Sequence, residues 1–127
     1  MSKKVSNEVL LLAEWSKRLG LHDWSIVLEA NCHPSEMRVA NSVGCTSWEE
    51  STKSAVIQII DPEKIEPLTR EFEFEEVLVH ELLHIKMTLL ASGEDDESLN
   101  DRVLHQIIDD LARAMVDVKK SERNKND

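Results

Sequence analysis

The residues best suited to do chemistry lie close together in the segment His80-Glu81-Leu82-Leu83-His84. Side chains four residues apart share one face of a helix, so the imidazoles of His80 and His84 could hold a single metal ion. Glu81 follows the first imidazole and could accept a proton from a water molecule activated at that ion. Neutral imidazoles suit Zn²⁺, and a carboxylate suits a general base. The pattern therefore predicts a zinc site with hydrolytic chemistry.

A third protein ligand should come from a later part of the chain, because catalytic zinc usually has three protein ligands and a water molecule. His105 is the preferred candidate, since it is the remaining histidine within a predicted helix. Asp109 lies one turn further on and could orient the ring of His105 by accepting a hydrogen bond. Asp101, Asp109 and Glu97 are alternative ligands. The sequence leaves this choice open.

The pattern of apolar residues predicts the element order α-β-β-β-α-α. Gly20 is suited to end the first helix in a left-handed conformation, and Thr69 is suited to cap the second. The second and third strands should pair as a hairpin. An α+β domain with a small antiparallel or mixed sheet is therefore expected. The predicted helices cover 5–19, 69–91 and 98–118, and the predicted strands cover 24–30, 43–48 and 55–60.

The last predicted helix carries two stripes of residues at helical spacing. One stripe is polar and contains the candidate ligands Asp101, His105 and Asp109. The other is apolar, and we expect it to pack against the rest of the domain. The apolar stripe consists of Val103, Ile107, Leu111, Met115 and Val118.

The charge balance argues against several classes of partner. The chain has 127 residues, 25 of them acidic and 15 basic, which gives a net charge of −10. Such a field repels phosphate backbones and anionic membrane surfaces, so neither nucleic acid nor a membrane is an expected partner. The basic clusters at Lys3-Lys4 and from Lys119 to Lys125 are interpreted as solvated. We expect one domain, 1–127, with flexible termini at 1–4 and 120–127.

The two cysteines, Cys32 and Cys45, are too few for a disulfide framework. The apolar run from Val9 to Ala13 is too short for a secretory signal and is interrupted by Glu14. No stretch reaches the ~18 consecutive apolar residues that would span a bilayer. A cytoplasmic protein is the expectation.

The chain resembles the zincin metallopeptidases, and in particular small gluzincin-like proteins encoded by phages and bacterial genomes. The resemblance is carried by the segment His80 to His84, and more loosely by Asp110 to Met115 and Leu21 to Val27. It implies a zinc-dependent peptidase with a peptide or protein substrate. In gluzincins the third ligand is a glutamate followed four residues later by an acidic residue; His105 and Asp109 occupy the corresponding positions here. The resemblance also implies that the strand Ala55 to Ile60 is an edge strand beside the metal cleft and holds an extended peptide by backbone pairing.

A non-catalytic alternative stays open. The chain has no tyrosine, a residue that zincins commonly use to stabilise the developing oxyanion. His33, Arg38 and Arg102 are the candidates to replace it. The alternative is a regulatory or protein-binding domain in which the metal ion cross-links the last two helices.

Overall fold

The chain folds into three helices and a three-stranded sheet within the part that the computed structural model describes, residues 6–40, 42–64, 72–87 and 99–126. The predicted α+β class and element order are confirmed. Two short 3-10 turns, Pro34–Glu36 and Pro62–Lys64, lie in the connections. The helices are α1 (Asn7–Arg18), α2 (Phe74–Lys86) and α3 (Leu99–Asn126), and the strands are β1 (Ser25–Cys32), β2 (Gly44–Glu49) and β3 (Ser54–Ile60).

The helix ends follow local capping chemistry. Ser6 caps α1, and Gly20 follows that helix with a φ of +71°, as predicted. The expected start of α2 at Thr69 is wrong: the carboxylate of Glu73 accepts hydrogen bonds from the backbone amides of Glu75 and Glu76, so the helix begins at Phe74. The same helix ends at Lys86 rather than near Ala91. Thr69 and Ala91 themselves, with the predicted terminus 1–4, lie outside the described residues.

The sheet is mixed and has the order β1-β3-β2. β1 is parallel to β3, and β2 is antiparallel to β3, so the predicted hairpin of the last two strands is confirmed. The expectation that Ala55 to Ile60 forms an edge strand is wrong, because β3 has a hydrogen-bonded neighbour on both sides. Within the described sheet, β2 is the edge strand that borders α2.

The core is built around α2, which packs against β2 and β3 of the sheet and against helices α1 and α3. Ile57 and Ile59 of β3 are fully buried, as are Leu78 and Leu82 of α2. Removing such large side chains from water is the main stabilising contribution to a domain of this size. In the described part of the chain, no helix combines the length and apolarity needed to cross a membrane.

The face that α3 buries is not the one expected. Its buried apolar residues are Ile108, Ala112 and Val116. The predicted packing stripe is largely exposed, with Met115 only partly buried. Both faces are apolar at helical spacing, so periodicity alone could not choose between them. The exposed members of the predicted stripe are Val103, Ile107, Leu111 and Val118.

Lys119 is buried rather than solvated, which corrects the interpretation of the basic C-terminal cluster. Its side chain is only 5% exposed, and its Nζ lies 2.5 Å from Oε2 of Glu75 and 3.0 Å from Oε1 of Glu14. Nε1 of Trp15 donates to the same Glu75 oxygen at 2.6 Å. These contacts tie α3 to both other helices beyond its predicted end at Val118. The helix continues to Asn126, through most of the segment expected to be flexible.

The pKa of Glu75 reflects this arrangement. Burial raises the pKa of Glu75. Hydrogen bonds from Lys119 and Trp15, together with the charge of Lys119, lower this pKa by more than burial raises it, so that it lies below the usual 4.5. A pKa lowered by folding means that the carboxylate stabilises the fold above its unfolded-state pKa. That contribution is lost as the pH falls through the lowered value.

We expect Lys119→Met to destabilise the protein by about 3–5 kcal/mol, because it leaves Glu75 as a buried charge without its cation. The neighbouring Lys120→Met is the control, since Lys120 is 48% exposed and lies 3.7 Å from Glu73. Its expected cost is about 0–1 kcal/mol. Urea unfolding of both variants measures the difference, and equal stabilities would contradict a structural role for Lys119.

Candidate metal centre

Helices α2 and α3 run antiparallel and meet in a regular series of side-chain pairs. Glu76 lies 3.8 Å from Arg113, and one turn later His80 lies 3.1 Å from Asp109. After a further turn, the rings of His84 and His105 have centroids 4.6 Å apart. Each step is four residues along both helices, so the rows face one another directly. This packing brings His105 to the other two histidines.

The three histidines form the one group in the described residues whose side chains could jointly hold a metal ion. One ring nitrogen from each of His80, His84 and His105 lies within 4.8 Å of the other two. The Nε2 atoms of His80 and His84 are 3.2 Å apart. Two zinc–nitrogen bonds of about 2.05 Å at a tetrahedral angle would separate these atoms by about 3.3 Å. His105 is the most exposed of the three. The donor set fits zinc.

Asp109 contacts the ring of His80 through the nitrogen that is not directed at the other histidines. Its Oδ1 lies 3.1 Å from Nδ1 of His80, on the opposite side of the ring from Nε2. A carboxylate in this position fixes the ring and favours the proton on Nδ1, which makes Nε2 the nitrogen that could bind a metal ion. The expected role of Asp109 in orienting His105 stays a prediction, and the bond to His80, across the helix pair, is one that the sequence did not predict.

His84 is electrostatically suited to bind a cation. Burial, together with the neighbouring His80 and His105, lowers the pKa of His84 to about 4. The imidazole is therefore neutral at pH 7, which is the form that binds metals.

Glu81 lies against β2 and not on the surface. Only 6% of the residue is exposed. Oγ1 of Thr46 donates a hydrogen bond of 2.5 Å to Oε1 of Glu81. The other oxygen lies beside Gly44, where an added Cβ would be 3.0 Å from Oε2 of Glu81 and 2.9 Å from Cγ1 of Val77. The absence of a Cβ at Gly44 therefore lets the strand approach the helix this closely without displacing either side chain.

The same surroundings set the protonation of Glu81. Burial raises its pKa to about 7, against the opposing effect of the hydrogen bond from Thr46. A carboxyl group with a pKa near neutrality can both accept and release a proton at physiological pH. Sequence reasoning did not single out Thr46 or Gly44. The sequence signal that could have paired them is strand alternation, which places Gly44 and Thr46 on the same face. The structure shows that this face meets α2.

The other predicted site residues are distributed differently. His33 caps the 3-10 turn at Pro34–Glu36, where its Nδ1 accepts from the backbone amide of Ser35. Arg38 donates to Oγ of Ser47, which points to the opposite face of β2 from Thr46. Arg38 therefore lies on the face of β2 away from Glu81. The remaining oxyanion candidate, Arg102, lies one turn before His105 on α3. The side chains of Asp101 and Glu97 lie outside the described residues.

We expect Asp109→Asn to weaken zinc binding about 10- to 100-fold, because a metal-ligating histidine depends on its hydrogen-bond acceptor. A competition titration with a chromogenic zinc chelator measures this affinity. Asp117→Asn, an exposed position two turns further along α3, is the control and should bind zinc as the unmodified protein does. If the two variants bound zinc equally tightly, Asp109 would have no part in supporting His80.

Comparisons with protein-family models, with curated proteins and with solved structures find no match to this chain. The assignment of function therefore depends on the geometry of the site and on the chemistry of its residues.

Proposed function

We propose that this protein is a zinc-dependent hydrolase that cleaves peptide bonds. The observation that carries the proposal is the convergence of His80, His84 and His105, with the Nε2 atoms of the first two 3.2 Å apart. Three imidazoles from two helices would hold a catalytic zinc ion, and such a ligand set would leave a coordination position for water. Such a zinc ion would supply Lewis-acid polarisation of a carbonyl group and a lowered pKa for water.

The protein's own residues supply the proton transfers. Glu81 adjoins the first ligand in sequence, and its pKa of about 7 suits it to accept the proton of the attacking water molecule. The same carboxyl group then donates that proton to the leaving amine. Thr46 restricts the rotation of this carboxyl group through its hydrogen bond. Asp109 keeps His80 in the tautomer that binds metal.

A second function is favoured by a different observation. The three histidines join α2 to α3, and the carboxylate of Glu81 is already engaged by Thr46. A metal ion in this position could act as a structural cross-link in a protein-binding domain without turnover. The two functions share the metal site and differ in what Glu81 does.

Metal analysis combined with a peptidase assay tests the proposal. We expect about one zinc ion per chain by mass spectrometry, as for a three-ligand catalytic site. We also expect the zinc-loaded protein to cleave members of a quenched fluorescent peptide library, and to lose this activity on chelation. Zinc binding without cleavage of any member would favour the structural cross-link. No zinc binding, even after reconstitution, would overturn both functions.

A further inference from the structure

Within the described part of the chain, one apolar face of α3 is left exposed. Val103 is 49% exposed, Ile107 46%, Leu111 38% and Val118 58%. With Ala114, which is also exposed, these residues form a continuous stripe along about four turns of the helix, and we call it the α3 stripe. It lies beside the buried row of Ile108, Ala112 and Val116 and away from His105, so it is separate from the metal centre.

The rim of the α3 stripe is acidic. Asp110 and Asp117 flank it on the solvent side, and Glu122 flanks its C-terminal end on the other side. All three side chains are exposed. The nearest exposed cation on α3, Arg113, lies 3.8 Å from Glu76 on α2 and 4.0 Å from Asp110, so Asp117 and Glu122 contribute most of the negative charge of this rim. An apolar stripe with a rim of one charge sign typically marks a protein-binding surface.

We propose that the α3 stripe is a docking surface for a cationic amphipathic helix. The apolar side of such a helix would cover Ile107 and Leu111, and its lysine or arginine side chains would meet Asp110 and Asp117. Helix-on-helix packing of this kind needs apolar anchors at spacings of three and four residues, which the stripe supplies. The overall charge of −10 would accelerate the encounter with a basic partner.

Charge argues against a second copy of this chain as the occupant. Pairing two α3 stripes would bring the acidic rims of two molecules together, and each molecule carries ten excess negative charges. Like charges placed opposite each other across an interface oppose association. A basic helix removes this repulsion and adds attraction.

Peptide binding tests the proposal on the full chain. The probe is a fluorescently labelled Leu/Lys peptide of about five helical turns with one apolar face, and the control peptide is a scramble of the same composition without that face. Leu111→Gln should weaken binding of the amphipathic peptide about tenfold or more, because it removes a central apolar contact. Leu10→Gln is the matched control variant, since Leu10 is 55% exposed on α1. It should bind the peptide as the unmodified protein does.

Charge is tested separately. Asp117→Asn should reduce the salt dependence of peptide binding, whereas Glu50→Gln, an exposed carboxylate in the β2–β3 turn, should not. Equal binding of the scrambled peptide, or no effect of Leu111→Gln, would reduce the interaction to general attraction between opposite charges and overturn the proposal. Absence of binding would overturn it as well. A dimer in sedimentation velocity that Leu111→Gln dissociates would show that a second copy is the occupant.

Discussion

Replacing His84 with alanine should abolish stoichiometric zinc binding. His84 lies between the other two histidines, with its Nε2 3.2 Å from that of His80 and its ring 4.6 Å from that of His105. Loss of a direct ligand should weaken zinc affinity by more than about 100-fold, since loss of a supporting hydrogen bond alone costs about 10- to 100-fold. Mass spectrometry of the purified variant and a competition titration measure the loss.

The same variant should lose stabilisation by zinc. A ligand at 100 times its dissociation constant stabilises the folded state by about 2.7 kcal/mol, so zinc should raise the melting temperature of the unmodified protein and not that of His84→Ala. His22→Ala is the control, because His22 is exposed in the turn before β1 and outside the cluster. Unchanged zinc content in His84→Ala would place the metal ion elsewhere.

Replacing Glu81 with glutamine should retain zinc and eliminate peptide hydrolysis. Glutamine has nearly the same shape, and its amide can still accept the hydrogen bond from Thr46. It cannot take up a proton at neutral pH, so the loss in kcat should be about 10²- to 10⁴-fold, the usual contribution of general acid–base catalysis. Hydrolysis of the best library peptide, measured at matched zinc content, gives this ratio.

Glu63→Gln serves as the control for that substitution. Glu63 is exposed in the 3-10 turn after β3, and its replacement should leave both zinc content and kcat unchanged. Full activity in Glu81→Gln would show that Glu81 has no part in proton transfer. If the variant instead lost zinc, the role of Glu81 would be to shape the site.

Most of the local structure was predictable because it depends on neighbouring residues. The alternation of β1 and β3, the glycine after α1 and the order of the elements all follow from short segments. The start of α2 was predicted wrongly because more than one residue in this region could cap the helix. Glu73 caps this helix through its own carboxylate, a role that sequence reasoning gave to Thr69.

The errors in α3 have a different origin. Two apolar faces on one helix are equivalent to a periodicity argument, and the choice between them depends on what the neighbouring helix presents. Here the pairs Glu76–Arg113 and His80–Asp109 fit the orientation of α3 about its own axis, in which Ile108 is buried. Lys119 was predicted to be solvated, and this too was wrong because its partners Glu14 and Glu75 are distant in sequence.

The sequence by itself determined that His80 and His84 share one face of a helix, since a four-residue spacing is a local property. It could propose His105 and could not distinguish it from nearby carboxylates. The tertiary structure decided which of the described side chains meets the pair, and also placed Thr46 and Gly44 against Glu81. The physical reason is that such contacts join residues far apart in the chain. They depend on the antiparallel packing of α2 against α3 and on the close approach of β2, neither of which is encoded in a short segment.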